Sequence, residues 1–115
     1  MDDNGGGIKM ITYTWKIGRL ITLKESNGQQ NVVVRVRWIC IGTDGTYNHQ
    51  KADTCSIAFN ENSQFTSYEN LTEQDVLSWI WNSGVDKTAT ESIIAQAIQH
   101  QIDPPYADLP LPWNN

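Results

Sequence analysis

The alternation between residues 31 and 41 restricts the fold more than any other feature of the chain. Val32, Val34, Val36, Trp38 and Cys40 fall on one parity, and Val33, Arg35, Arg37, Ile39 and Ile41 on the other. Successive strand residues point to opposite faces, whereas a helix would scatter these side chains around its circumference. The segment therefore reads as a strand with a Val/Trp/Cys core face. Its second face carries two arginines among aliphatic groups, so it meets solvent or is pressed on a partner. Thr43-Asp44-Gly45-Thr46 follows as a hairpin turn. The return strand covers about residues 46–59, with a break expected at the cluster Lys51-Ala52-Asp53. Pairing around Asp44-Gly45 sets Cys40 opposite His49 and Cys55 opposite Val34, which leaves the two cysteines unbridged.

Upstream, Ile11, Tyr13, Trp15 and Ile17 share one parity, with Thr12, Thr14 and Lys16 on the other. Period two with aromatic and β-branched residues is a strand signal, here over residues 8–17. Gly18 reads as a bulge or turn, and residues 20–24 as a further short strand. Ser26-Asn27-Gly28 carries the strongest short hairpin signal, Asn-Gly.

The pattern changes after a loop at residues 60–64, with Phe65 and Tyr68 as anchors. Thr72 and Asp75 form a capping box, with Leu71 and Val76 placed for the hydrophobic staple. Val76, Leu77, Trp79, Ile80 and Trp81 crowd the helix that follows, and Gly84 suits its C′ position near Asn82. Glu73 and Asp75 in the first turn suit the helix dipole. A second helix starts near Asp86 or Thr88, where Thr88 and Glu91 offer another capping box. Ile94, Ala97, Ile98 and Ile102, with Ile93, form its apolar stripe, and Asp103-Pro104-Pro105 ends it. All four prolines lie in residues 104–115. That segment should be extended, with Leu109, Leu111 and Trp113 alternating along it, either folded back on the chain's own helices or docked in a groove of a neighbouring chain.

The expectation is an α+β fold: about four antiparallel β-strands in hairpins, then two helices and an extended Pro-rich arm. Residues 1–9, glycine-rich, read as a flexible N-terminal arm, 10–103 as a single domain, and 104–115 as the C-terminal arm. A length of 115 residues suits one core. Only 18% of residues are charged, and 11 are aromatic, five of them Trp, which argues against disorder. Two tryptophans spaced as Trp79 and Trp81 point roughly 200° apart on a helix, so both cannot face one sheet.

The formal net charge of -5 makes nucleic acid a poor partner, since phosphate binding needs a basic footprint. No apolar run spans a bilayer, and no secretion leader is visible. The charge is uneven: residues 1–59 hold seven Lys and Arg against five acids, and residues 60–115 hold Lys87 against eight. Two solvated faces of different sign explain this, and so does head-to-tail association between copies.

Catalytic chemistry finds little foothold. The chain has no phosphate loop, nucleophile elbow or HExxH motif. Cys40, Cys55, His49 and His100 match no zinc spacing, so neither metal nor cofactor is expected. A Cys40–His49 nucleophile and base would lack a third residue to fix the imidazole and donors for an oxyanion. The sequon Asn70-Leu71-Thr72 is set aside, because Thr72 is needed for the cap.

Five segments stand out together: Met10-Ile-Thr-Tyr-Thr-Trp-Lys-Ile17, the Val-rich strand ending in Trp38, Gly42-Thr-Asp-Gly-Thr-Tyr47, Tyr68-Glu-Asn-Leu-Thr-Glu-Gln-Asp-Val-Leu-Ser-Trp-Ile80 and Leu109-Pro-Leu-Pro-Trp113. In this combination the chain resembles a family of small uncharacterised phage proteins, common in phages of cyanobacteria and marine bacteria. The resemblance covers about residues 10–113; residues 1–9 and the two cysteines depart from it. It implies a virion component assembled in the host cytoplasm, and brings no catalytic residues. The expected function is a non-enzymatic capsid decoration or cement protein on the shell of the major capsid protein, with possible self-association. Arg35 and Arg37 would meet acidic groups there, and Leu109, Leu111 and Trp113 would fill apolar grooves. A tail-associated adaptor or fibre-associated protein, or a small intracellular phage protein binding a host partner, are the alternatives.

Overall fold

The structure, a computed structural model, describes residues 10–58 and 66–113. Three strands form one antiparallel meander in the order β1-β2-β3: β1 (Thr12–Ser26), β2 (Gln29–Thr43) and β3 (Asn48–Ser56). A 3-10 turn at Tyr68–Asn70 leads to α1 (Glu73–Trp81) and then α2 (Lys87–Ile102). The fold is α+β, with both helices on one face of the sheet.

The fourth strand expected from the sequence is the second half of β1. Ile17 pairs with Trp38 and Arg19 with Arg37, so Gly18 is an extra residue inside a continuous strand. It is a bulge and not a turn. A second shift falls between Ile21 and Thr22, where Val34 is the extra residue of β2. The β1–β2 ladder skips Val34 and resumes at Val33, and the Val34 carbonyl accepts from the Ile57 amide (2.8 Å).

Each bulge flips side-chain parity. The strict alternation read over 31–41 therefore needs correction at its start. Val36, Trp38 and Cys40 face the helices as expected, but Val33 joins them there. Val32 lies on the opposite face, paired with Leu23, and is buried apart from the main cluster. The Gly18 bulge acts the same way on β1: it turns Leu20 toward the helices and Arg19 away from them.

The Asn-Gly turn forms as expected. Asn27 (φ 51°) and Gly28 (φ 82°) both lie in the left-handed region, the requirement of a two-residue type I′ hairpin. The second connection is longer than a tight Asp44-Gly45 turn. Asp44 Oδ1 accepts from the amides of Thr46 and Tyr47, both at 2.8 Å, and holds a loop over 44–47. The register consequently shifts by two: Cys40 pairs with Lys51, Gly42 with His49 and Cys55 with Val36. An even shift keeps every side chain on its face, so only the partners change. β3 runs unbroken through Lys51–Asp53, against expectation. As an edge strand it tolerates polar groups on both sides.

β1 and β2 have 15 residues each, and β3 has nine. The far end of the hairpin therefore projects past β3 as a two-stranded ribbon. The radius of gyration is 20.5 Å, against roughly 13 Å for a compact chain near this size.

The helices are cut by local signals. Thr72 caps α1 through the Asp75 amide, and the Asp75 carboxylate accepts from the Thr72 amide, which completes the capping box. At the other end Gly84 has φ 110°, and the Val85 amide donates to the Ile80 carbonyl (3.1 Å), the closing bond of a Schellman motif. α2 starts on Asp86, whose carboxylate accepts from the Ala89 amide. The Thr88–Glu91 box does not form; Glu91 is used elsewhere. The stripe α2 buries is narrower than expected: Thr90, Ile94 and Ile98, four residues apart, are buried, while Ile93 and Ile102 are about half exposed.

Ile80, Ile94, Ile98, Val36 and Cys40 form the solvent-free centre of the core. Gly42 lets α2 approach the sheet: a Cβ there would collide with Ile94 Cγ2 and meet the Tyr13 ring at 3.4 Å. Trp15 lies between two other indoles, tilted on Trp38 (centroids 5.3 Å) and edge-on to Trp81 (5.5 Å). Its Nε1 donates to the Glu91 carboxylate at 2.9 Å, which ties β1 to α2. Trp79, partly buried like Trp81, also packs against the cluster. Both helical tryptophans thus flank the core, each partly buried.

The expected arm at 1–9, the loop at 60–64 and the Phe65 anchor lie outside the described residues. Tyr68 is 41% exposed. Residues 103–113 have neither helix nor strand and are exposed throughout.

Candidate functional site

The helices leave the second face of the sheet open, and the bulges decide what it presents. Thr12, Thr14, Lys16, Arg19 and Ile21 of β1 share this face with Arg35, Arg37, Ile39 and Ile41 of β2. Gln50, Ala52 and Thr54 extend it along β3. Lys16, Arg19, Arg35 and Arg37 are exposed, and Ile21, Ile39 and Ile41 are half-buried between them. No acid lies among these residues; Glu25 shares the face further along, near the hairpin turn, where its carboxylate accepts the Gly28 amide (2.8 Å). Arg19 stands directly opposite Arg37, with Arg35 opposite Ile21 one step along. Like charges directly opposite one another on a sheet destabilise it. Arg37 Nη1 reaches Thr54 Oγ1 at 3.5 Å, the contact that orients its guanidinium. The surface is therefore a cationic patch on an aliphatic floor, suited to an acidic and apolar partner.

Sequence parity identified Arg35 and Arg37. It missed Arg19, which unbroken alternation from Ile17 would have turned toward the helices. Parity placed Lys16 on the face opposite Trp15, without assigning it to a binding surface. The available signal was Gly18: a glycine inside a strand pattern marks a bulge, and a bulge flips everything after it.

Leu109, Leu111 and Trp113 are 76%, 52% and 79% exposed, and Tyr106 is 88% exposed. The structure does not gather them with the arginines. Gln101 near the end of α2 donates to the Asn48 carbonyl (2.7 Å), so the tail leaves the body at the end of the sheet where Asn48 pairs Thr43. Arg35 is eight residues back along β2, about 27 Å at strand spacing.

The other candidates reduce to structure. Burial, and then the Glu91 charge, push the Cys40 thiol up to about 11, so the neutral thiol prevails at neutral pH. His49 is exposed and pairs with Gly42, so the Cys40–His49 juxtaposition is replaced by Cys40–Lys51. Both cysteines are free; Cys55 Sγ donates to the Ser83 carbonyl (3.6 Å) and is likewise pushed up, mainly by burial. Among the described residues no three His, Cys, Asp or Glu are grouped to hold a metal. No helix there is long and apolar enough to cross a membrane. An open depression of about 390 Å³ lies between the helices, lined by Trp81, Gly84, Val85, Asp86, Lys87 and Thr88. Lys87 Nζ sits 4.9 Å from the Trp81 ring centroid, so a protein cation already occupies that aromatic face. Glu73 has a role beyond the helix dipole: it accepts the Ile17 amide of β1 at 2.9 Å, so part of an otherwise open strand edge is satisfied.

Fold and surface together define a small α+β domain with a one-sided helical layer and an open cationic sheet face. The chain belongs to the family of the domain of unknown function DUF7936, whose profile matches residues 10–113. Comparison with curated proteins and with solved structures gives no match.

Proposed function

We propose that this protein is a non-enzymatic docking module that attaches to another protein through its open sheet face and its C-terminal tail. The setting we propose is a phage particle, with the protein decorating or cementing the shell of the major capsid protein. The cationic face carries the reading. Arg19 and Arg37 oppose each other across β1 and β2 with no acid beside them among the described residues, an arrangement that an anionic partner would relieve. The tail supports it. Pro104, Pro105, Pro110 and Pro112 restrict its backbone, so we read it as an extended arm that loses little entropy on binding. Burying Leu109, Leu111 and Trp113 would contribute roughly 1.5–3 kcal/mol each, less the cost of ordering the segment. Many such contacts on a lattice would add by avidity.

A tail-associated adaptor is the second reading, favoured by the uneven charge: the described residues 66–113 hold seven acids against Lys87, and the opposite sheet face is basic. Immunogold labelling of purified phage particles distinguishes the two. Gold over the heads is expected. Gold at one vertex or along the tail replaces decoration by the adaptor. Unlabelled particles, with the protein abundant in infected-cell lysate and missing from denatured virions, would sink both.

A further inference from the structure

We propose that the open sheet face receives the C-terminal tail of a second copy, so that copies associate head to tail. The inference rests on the reading of face and tail as docking elements, and names what one docks on. It does not need the phage setting.

The two surfaces complement each other in charge and in apolar character. The face offers Lys16, Arg19, Arg35 and Arg37 around an aliphatic floor, and its acid, Glu25, lies apart at the hairpin end, where it accepts the Gly28 amide. Residues 103–113 carry Asp103 and Asp108 and no cation, and interleave them with Tyr106, Leu109, Leu111 and Trp113. An extended strip of this composition can lay its large side chains on Ile39 and Ile41 while its carboxylates meet the arginines. Aromatic anchors are the usual energetic centre of such contacts, which points to Trp113. Within one copy the tail departs at the sheet end opposite to Arg35, and Leu109, Leu111, Trp113 and the three arginines are all exposed, so both surfaces stay available. Tail-to-face contact is heterologous: each copy gives one tail and receives one, and the product is a ring or an open chain.

The test is sedimentation velocity of the full chain, nuclease-treated, from low to high micromolar concentration at low and high salt. The wild type is expected to form species larger than a monomer that weaken as salt rises. Arg35→Glu with Arg37→Glu removes the face, and Leu109→Ala, Leu111→Ala and Trp113→Ala together remove the tail. All five positions are exposed, and circular dichroism checks that both variants fold. Each variant alone should associate at least ~10-fold more weakly than wild type, the scale of a lost hot spot. The decisive sample is their equimolar mixture. One intact tail meets one intact face, and growth stops at a dimer. A wild type that stays monomeric throughout overturns the proposal, as does a variant that associates undiminished. A mixture that remains monomeric overturns it too. None of these results depends on where gold falls on a particle, so this inference and the virion reading can fail separately.

Discussion

The packing of α2 on the sheet depends on one missing side chain, and Gly42→Ala tests this directly. A Cβ at this position would fall well inside contact distance of Ile94 Cγ2, with Tyr13 ring carbons at 3.4 Å on the other side. Ile94 is fully buried, and its methyl sits on the β-carbon of a branched residue in a helix, where χ1 is nearly fixed. The methyl cannot swing away, so α2 itself must lift. Overpacking of this kind costs about 1–3 kcal/mol, and the stiffness of Ile94 puts the figure near the top. Replacing glycine by alanine returns only about 0.4–1 kcal/mol through the unfolded chain. The net expectation is a loss of about 2 kcal/mol, read from urea unfolding followed by tryptophan fluorescence. Ile94→Ala alone should lose about 2–5 kcal/mol by leaving a cavity. In the double variant the new methyl enters that cavity, so the losses should fall short of additive by at least ~1 kcal/mol. A Gly42→Ala protein as stable as wild type, or strict additivity in the cycle, would refute the account of the α2–sheet contact.

Three further outcomes follow from the same structure. Glu91→Gln weakens the charge-assisted bond from Trp15 Nε1 and should lower stability by about 1–2 kcal/mol with a shifted tryptophan emission maximum; an unchanged spectrum would mean the indole does not depend on that carboxylate. The Cys40 thiol is raised from 9.0 to about 11 in the folded chain, so the unfolded chain releases its proton first as pH rises. Stability should therefore be intact below pH ~9 and fall by up to ~2–3 kcal/mol toward pH ~11, an alkaline loss that Cys40→Ala reduces; Tyr13 and Cys55 shift in the same direction, so part of the loss should remain. Substituting Leu109, Leu111 and Trp113 with alanine should leave the melting temperature within about 1 °C of wild type at concentrations and salt where the wild type is monomeric, because exposed positions contribute little; a large drop under those conditions would show that the tail straps its own body.

Local signals were read correctly from the sequence where chemistry acts over a few residues. Asn27-Gly28 needed two left-handed residues, Thr72 and Asp75 satisfied each other's amides, and Gly84 closed α1. Pairing at a distance was less legible. Thr88–Glu91 satisfied the capping-box pattern, yet Asp86 took the cap and Glu91 went to Trp15, 76 residues away in the chain. A local motif has no access to a competing partner of that kind. The cationic face was half visible, through Arg35 and Arg37. Arg19 was hidden because its orientation depends on whether Gly18 is counted as a bulge.

The sequence by itself determined the class of fold, the existence of the core face through Val36, Trp38 and Cys40, the Asn27-Gly28 turn and the ends of α1. Each of these follows from periodicity or from hydrogen bonds within a few residues. Only the tertiary structure decided that residues 12–26 are one strand, that the ladder slips at Gly18 and Val34, and that β3 pairs two residues further along. Register is a cooperative property of two strands and of the helices packed on them. A single inserted residue inverts every side chain beyond it, and no local preference of the chain carries that information.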